Sequence, residues 1–265
     1  MKRILAFVFL ILSVVPAYAL KHCPRCHYAV SSEALECPKC LKILSTDFSE
    51  KRVARASLIV RRGHDAFIRH PHADNRAYKA SRNAGGHPSG QIGSWGGPGN
   101  LRYLVRFDIE GAMDWKKIAS DSFKLKKAFL HISAMRNKEK VDMPVAIYAL
   151  TTGFMEGTGK FRESQARADG TTWTMADVSK PWHSDGGDYA PETICRGVIK
   201  NGERCIIDVT KAVQYIFDSS REEGVWMNKG LIIMSDPTVQ VPASYVTIYS
   251  LDALDYTSRP ELYLE

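Results

Sequence analysis

Residues 56–265 are predicted to form an all-β domain, an antiparallel jelly-roll β-sandwich with one short helix. Three observations predict it. Short apolar runs recur with turn residues between them, one of these runs alternates with period two, and a helical period is clear at one place only. In front of this domain the chain divides into a signal peptide (1–19), a small zinc-ribbon-like unit (20–44) and a polar linker (45–55).

The elements follow in order. Met1-Lys2-Arg3 precedes twelve residues, 4–15, of which only Ser13 is polar; Pro16 and Ala17-Tyr18-Ala19 follow. A basic start, a short apolar run and an A-x-A site make a secretory signal. A membrane span needs roughly 20 apolar residues, and no later stretch approaches that length. The mature chain is expected to begin near Leu20, to carry no transmembrane segment, and to be secreted to the periplasm or cell surface. The alternative is a buried N-terminal helix.

Cys23-Pro24-Arg25-Cys26 and Cys37-Pro38-Lys39-Cys40 are paired C-P-x-C turns. Two such turns facing each other complete a tetrahedral four-sulfur site, so Cys23, Cys26, Cys37 and Cys40 are candidate zinc ligands. The segment resembles zinc ribbons that carry the same knuckles. A closed set of four cysteines favours a structural metal, whose ligation would supply the folding free energy. Disulfides are one rival, because exported thiols oxidise. Cys23-x-x-Cys26-His27 also has the form of a c-type haem attachment site, but two dozen residues cannot bury a haem. The polar stretch 45–55 has no sustained apolar period and reads as a linker.

In the large domain, 57–60 and 66–68 flank Gly63 as short strands. Residues 101–109 place apolar side chains at odd positions and charges at 102, 106 and 108, so one face is expected in the core and one in water. Further strands are expected over 128–134, 145–150, 206–209, 231–234, 245–249 and 262–264. Val209, Ala212, Val213, Ile216 and Phe217 follow the helical spacing behind Asp208 as N-cap. Cys195 and Cys205 flank Lys200-Asn201-Gly202-Glu203, which reads as a hairpin. A two-residue Asn201-Gly202 loop turns the sulfurs to opposite faces. A loop centred on Lys200 sets them opposite each other as a disulfide.

Charge narrows the partners. Lys and Arg outnumber Asp and Glu by 36 to 29, a net +7. Removing Lys2 and Arg3 leaves about +5, and a zinc tetrathiolate about +3. A dedicated nucleic-acid binder would be more basic. The excess is uneven: residues 61–140 hold 16 basic and 7 acidic side chains, and 141–265 hold 11 and 18.

The order Asp65-Ala66-Phe67-Ile68-Arg69, then 101–109, then Ala128-Phe129-Leu130-His131-Ile132 resembles the opening of DNRLRE domains. Glu156-Gly157-Thr158-Gly159, Thr172-Trp173, Trp182, Gly186-Gly187-Asp188, Asp208-Val209-Thr210 and Gly230-Leu231-Ile232-Ile233 are similar to that family's second half. The resemblance spans nearly the whole chain after Arg55. It implies a jelly-roll sandwich like the carbohydrate-binding modules found with alginate lyases, extracellular, with polysaccharide binding in some members.

Sugar sites pair flat apolar rings with polar groups. Trp95, Trp173, Trp182 and Tyr189 lie in Gly-rich or polar segments, where binding residues concentrate; the alternative is that the rings plug the sandwich as core. Arg102 and Arg106 belong to a set of cations able to attract a uronate or sulfated polymer, with Arg giving bidentate carboxylate contacts. Asp185 and Asp188 around Gly186-Gly187 offer oxygen ligands for Ca²⁺, or simply a tight turn. His64, His70, His72 and His87 cluster in sequence, and Glu156, Glu163 and Asp169 share a loop, but no G-x-S-x-G, H-E-x-x-H or Walker motif fixes geometry between them. The expectation is a secreted, non-catalytic polysaccharide binder, with a cell-surface structural or adhesive protein, or a polysaccharide-degrading enzyme, as alternatives.

Overall fold

The computed structural model describes residues 58–70, 82–94, 100–113, 124–136, 142–160, 169–240 and 244–265, with the backbone of 20–22 and 29–31. The chain divides into two units, Met1–Arg55 and Ala56–Glu265. In the first, β1 (Leu20–His22) pairs antiparallel with β2 (Ala29–Ser31). Cys23, Cys26, Cys37 and Cys40 lie outside the described residues.

The second unit is mostly β and its strand pairs are antiparallel. In chain order it contains β3 (Leu58–Val60), β4 (Gly63–Arg69), β5 (Ser89–Gly93), β6 (Leu101–Phe107), α1 (Ile109–Ala112), β7 (Ala128–Ser133) and β8 (Met143–Ala149). A 3₁₀ turn at Pro191–Thr193 precedes β9 (Cys195–Ile199), β10 (Arg204–Asp208), α2 (Thr210–Glu223), β11 (Leu231–Ser235), β12 (Tyr245–Tyr249) and β13 (Glu261–Leu264). A four-stranded sheet runs β10-β7-β13-β3; a seven-stranded sheet runs β12-β5-β6-β11-β8-β9, with β4 also on β6.

Side-chain alternation explains this register. In the small sheet Ile207, Leu130, Leu262 and Val60 are successive cross-strand partners and all are buried. In the large sheet Phe67, Tyr103, Ile233 and Ile147 form a matching row. Both rows belong to the main apolar cluster. Each buried Leu or Ile there contributes about 1.5–3 kcal/mol, and a one-residue slip would expose a whole row.

The neighbouring row, Ala66, Leu104, Ile232 and Tyr148, points the other way into a second cluster with Phe154, Trp173 and Trp182. The large sheet is therefore buried on both faces. This corrects the expectation from 101–109 that one face meets water: charges flank Leu104 at Arg102 and Arg106, and Leu104 itself is buried under the β8–β9 connection. Strand β6 ends at Phe107, and Asp108 caps α1 through Oδ1, which accepts from the Gly111 amide at 2.9 Å.

The α2 face formed by Ala212, Val213, Ile216 and Phe217 packs into the main cluster, as its spacing predicts. Its cap position is Val209, one residue later than expected, while Asp208 Oδ1 accepts from the Thr210 amide at 2.9 Å. The 195–205 hairpin is a larger correction. Strand β9 pairs with β8 in the large sheet and β10 with β7 in the small one, so the turn between them carries the chain from one sheet to the other. Cys195 and Cys205 are buried and free. Cys195 Sγ donates to the Thr193 carbonyl and Cys205 Sγ accepts from the Lys200 amide, so the predicted disulfide is absent. Among the described residues no helix is long and apolar enough to cross a membrane.

Candidate functional site

The long connection from β8 to β9 makes the outer surface of the large sheet. Covering a broad apolar sheet face takes large flat rings, and this segment supplies Trp173 and Trp182, which retain 5% and 4% exposure. Trp182 Nε1 donates to the Thr172 carbonyl at 2.9 Å. Rings enclosed in this way pack and cannot stack on a sugar, which corrects the assignment of Trp173 and Trp182 to binding. Trp95 lies outside the described residues.

Arg102 belongs to the same cover. Its guanidinium lies 4.7 Å over the Trp173 ring, and Nη1 donates to the Gly186 carbonyl at 2.7 Å. Burial pulls its pKa down, opposed by Tyr189 and Tyr148. Gly186 has φ +87°, and a Cβ there would sit 2.6 Å from the Trp173 ring and 2.7 Å from Arg102 Nη1, so only glycine lets this turn close. Arg102 is thus a strut beneath the turn. Arg106 lies 6.0 Å over the Phe154 ring.

Above that turn is a cleft of about 390 Å³ lined by Thr151, Thr152, His183, Ser184, Gly187, Asp188, Tyr189 and Pro191. Such a volume is at the small end of ligand pockets, which run from about 300 Å³ upward. Tyr189 is half-buried, its ring 4.6 Å from that of Tyr148, and is fixed where Leu150 bridges to Tyr189. Asp188 binds the amides of His183 at 3.0 Å and Ser184 at 2.8 Å. Partial burial pushes its pKa up, but those amides, the Thr152 hydroxyl and the His183 charge hold it below the usual carboxylate value. The cleft therefore sets an ionised acceptor, three hydroxyl side chains and an aromatic ring around one space.

Among the predicted binding residues the structure brings Asp188 to this cleft and leaves Asp185 exposed beside it. The two aspartates belong to no described group of three His, Cys, Asp or Glu ligand atoms within 4.8 Å, and Asp188 is occupied as the staple of its own turn. Tyr189 was legible as a loop aromatic. Thr151, Thr152, His183, Ser184 and Pro191 carry no signal, because residues from the two ends of the long β8–β9 connection meet only after folding.

One acidic group does converge elsewhere. Carboxylate oxygens of Asp65, Glu156 and Asp252 lie within 4.8 Å of one another. Asp65 is 1% exposed, and its Oδ2 accepts from Tyr103 Oη at 2.7 Å and from the Leu251 amide. Burial raises its pKa to about 8, which the Leu251 and Tyr103 bonds only partly counter. Glu156 accepts from the Asp65 amide at 2.7 Å and pairs with His64 Nδ1 at 2.9 Å. A protonated, doubly bonded Asp65 is a clip between β4, the Glu156 loop and the turn after β12. No family model matches the chain, and no curated protein matches it.

Proposed function

We propose that this chain is an exported, non-catalytic polysaccharide-binding protein: a jelly-roll module of the DNRLRE kind behind a cysteine-rich unit that holds structural zinc. The observation that carries the reading is the Tyr189 cleft. Sugars present apolar C–H faces and many hydroxyls, and Tyr189, Asp188, Ser184 and the Thr151–Thr152 pair offer a ring and hydrogen-bond partners of both kinds. Asp188, whose pKa is held below the usual carboxylate value, has lone pairs beyond its two amide bonds with which to accept hydrogen bonds from sugar hydroxyls.

The ordered motifs from Asp65 to Ile233 support the family reading, and the basic, apolar, A-x-A start supports export. The donor set Cys23, Cys26, Cys37 and Cys40 is the one a closed zinc site uses, and such a metal would hold its unit together without chemistry of its own. The reading includes no catalysis: among the described residues Asp188 is the carboxylate that lines the cleft, and it is bonded to two amides.

Affinity electrophoresis through gels containing neutral or acidic glycans tests the proposal. Retardation by at least one glycan, lost in Tyr189→Ala, is the expected result. Migration unaffected by every glycan would leave a structural or adhesive protein, and release of reducing or unsaturated sugar ends would make it an enzyme.

A further inference from the structure

A second pocket, of about 190 Å³, lies where β4 meets β6, with Arg62, Gly63, His64, Arg106, Asp108 and Glu110 around it. The register explains the convergence. His64 pairs with Arg106, and the Asp108 amide donates to the Arg62 carbonyl at 2.8 Å, so Arg62, His64 and Arg106 share the outer face at one corner of the sheet. Gly63 allows the approach, since a Cβ there would sit 2.2 Å from the Arg106 carbonyl oxygen.

The charges here are unequally committed. Asp108 caps α1, and Glu110 Oε2 accepts from Trp226 Nε1 at 2.7 Å. His64 is held through Nδ1 by Glu156. Arg62 and Arg106 make no side-chain hydrogen bond or ion pair among the described residues; Arg106 rests on Phe154 alone. Two guanidiniums, Arg62 immediately before β4 and Arg106 on β6, with the neighbouring carboxylates turned to other donors, suit an anion that takes planar paired N–H groups.

We infer that Arg62 and Arg106 form a subsite for a carboxylate, and that its ligand is a uronate unit of the polysaccharide proposed above. The choice of polymer rests on that reading; the anion site does not. Arg106, Gly230 and Leu150 lie in one row across β6, β11 and β8, because Leu231 pairs with both Val105 and Ala149. Leu150 in turn bridges to Tyr189 of the cleft. Two inter-strand spacings of about 5 Å separate β6 from β8, so a chain of a few sugars crossing the strands reaches both places.

The experiment follows the arginine Nε–Hε signals of the full chain by NMR, assigned with Arg62→Gln and Arg106→Gln, at constant ionic strength. Sodium glucuronate should shift both signals saturably, and glucose should shift neither. By calorimetry, a uronate oligosaccharide should bind about tenfold more weakly to the R62Q/R106Q double variant, as expected for the loss of one or two charge-assisted bonds, with an unchanged thermal midpoint. Signals that ignore glucuronate, or drift without saturation as with sodium chloride, overturn the subsite. Saturable shifts with glucuronate but no binding of any oligosaccharide keep the subsite and overturn the polysaccharide reading.

Discussion

At the scale of single residues, Asp65 and Trp182 carry consequences that can be measured. The folded chain raises the Asp65 pKa from 3.8 to about 8 through burial, so the folded state holds its proton far more tightly than the unfolded state. Stability from this group is complete below about pH 4 and is lost as pH climbs through about 8, because there the folded state binds the extra proton. Urea midpoints measured between pH 4 and 9 should fall across this window. Asp65→Asn, which mimics the protonated acid, should flatten that part of the curve; an unchanged slope would separate the effect from Asp65. Trp182→Ala should destabilise by about 3–5 kcal/mol, as removal of a large buried ring does, measured as a lower urea midpoint. Nothing in the composition of 170–190 distinguishes a covering ring from a binding one: both choices put tryptophan among glycine and polar residues.

At the scale of elements, most strands were readable because each has one clean alternating face or a bounded apolar run. Strand β5 was not, since Ser89-Gly90-Gln91-Ile92-Gly93 has one large apolar residue and owes its place to pairing with β12. The β9–β10 turn reads as a hairpin in the sequence because local turn chemistry is the same whether the next strand returns to its own sheet or crosses to the facing one. Only the partners, β8 and β7, distinguish the two, and they lie some 50 or more residues earlier in the chain. Cys195 and Cys205 on these two strands are free, so alkylation of denatured, unreduced protein should label both; recovery of a peptide pair joined through them would contradict this. The tight β4–β6 pairing makes a further expectation. Gly63→Ala forces a methyl against the Arg106 carbonyl, and overpacking of this kind costs about 1–3 kcal/mol. Its thermal midpoint should drop, and the shifts of Arg62 and Arg106 should move with it.

At the scale of the whole molecule, the described strands of the basic segment 61–140 and of the acidic segment 141–265 are interleaved. Strand β7 from the first lies between β10 and β13 of the second, β6 lies against β11, and β5 against β12. Interleaving of this kind cancels opposite charges over distances near the Debye length, about 8 Å at physiological salt. The linear charge map therefore overstates the reach of the cations Arg102 and Arg106: one is a strut on Trp173, and the other lines, with Arg62, a single pocket. On the proposed reading, attraction for an acidic polymer is led by the two guanidiniums of this pocket. Retention on a uronate gel should consequently weaken only gradually between about 50 and 500 mM sodium chloride, a range over which screening lengths shrink from about 14 to 4 Å. In R62Q/R106Q the remaining, weaker retention should lose its salt dependence, leaving the contribution of Tyr189. A steep decline that persists in the double variant would mean that cations elsewhere on the molecule dominate.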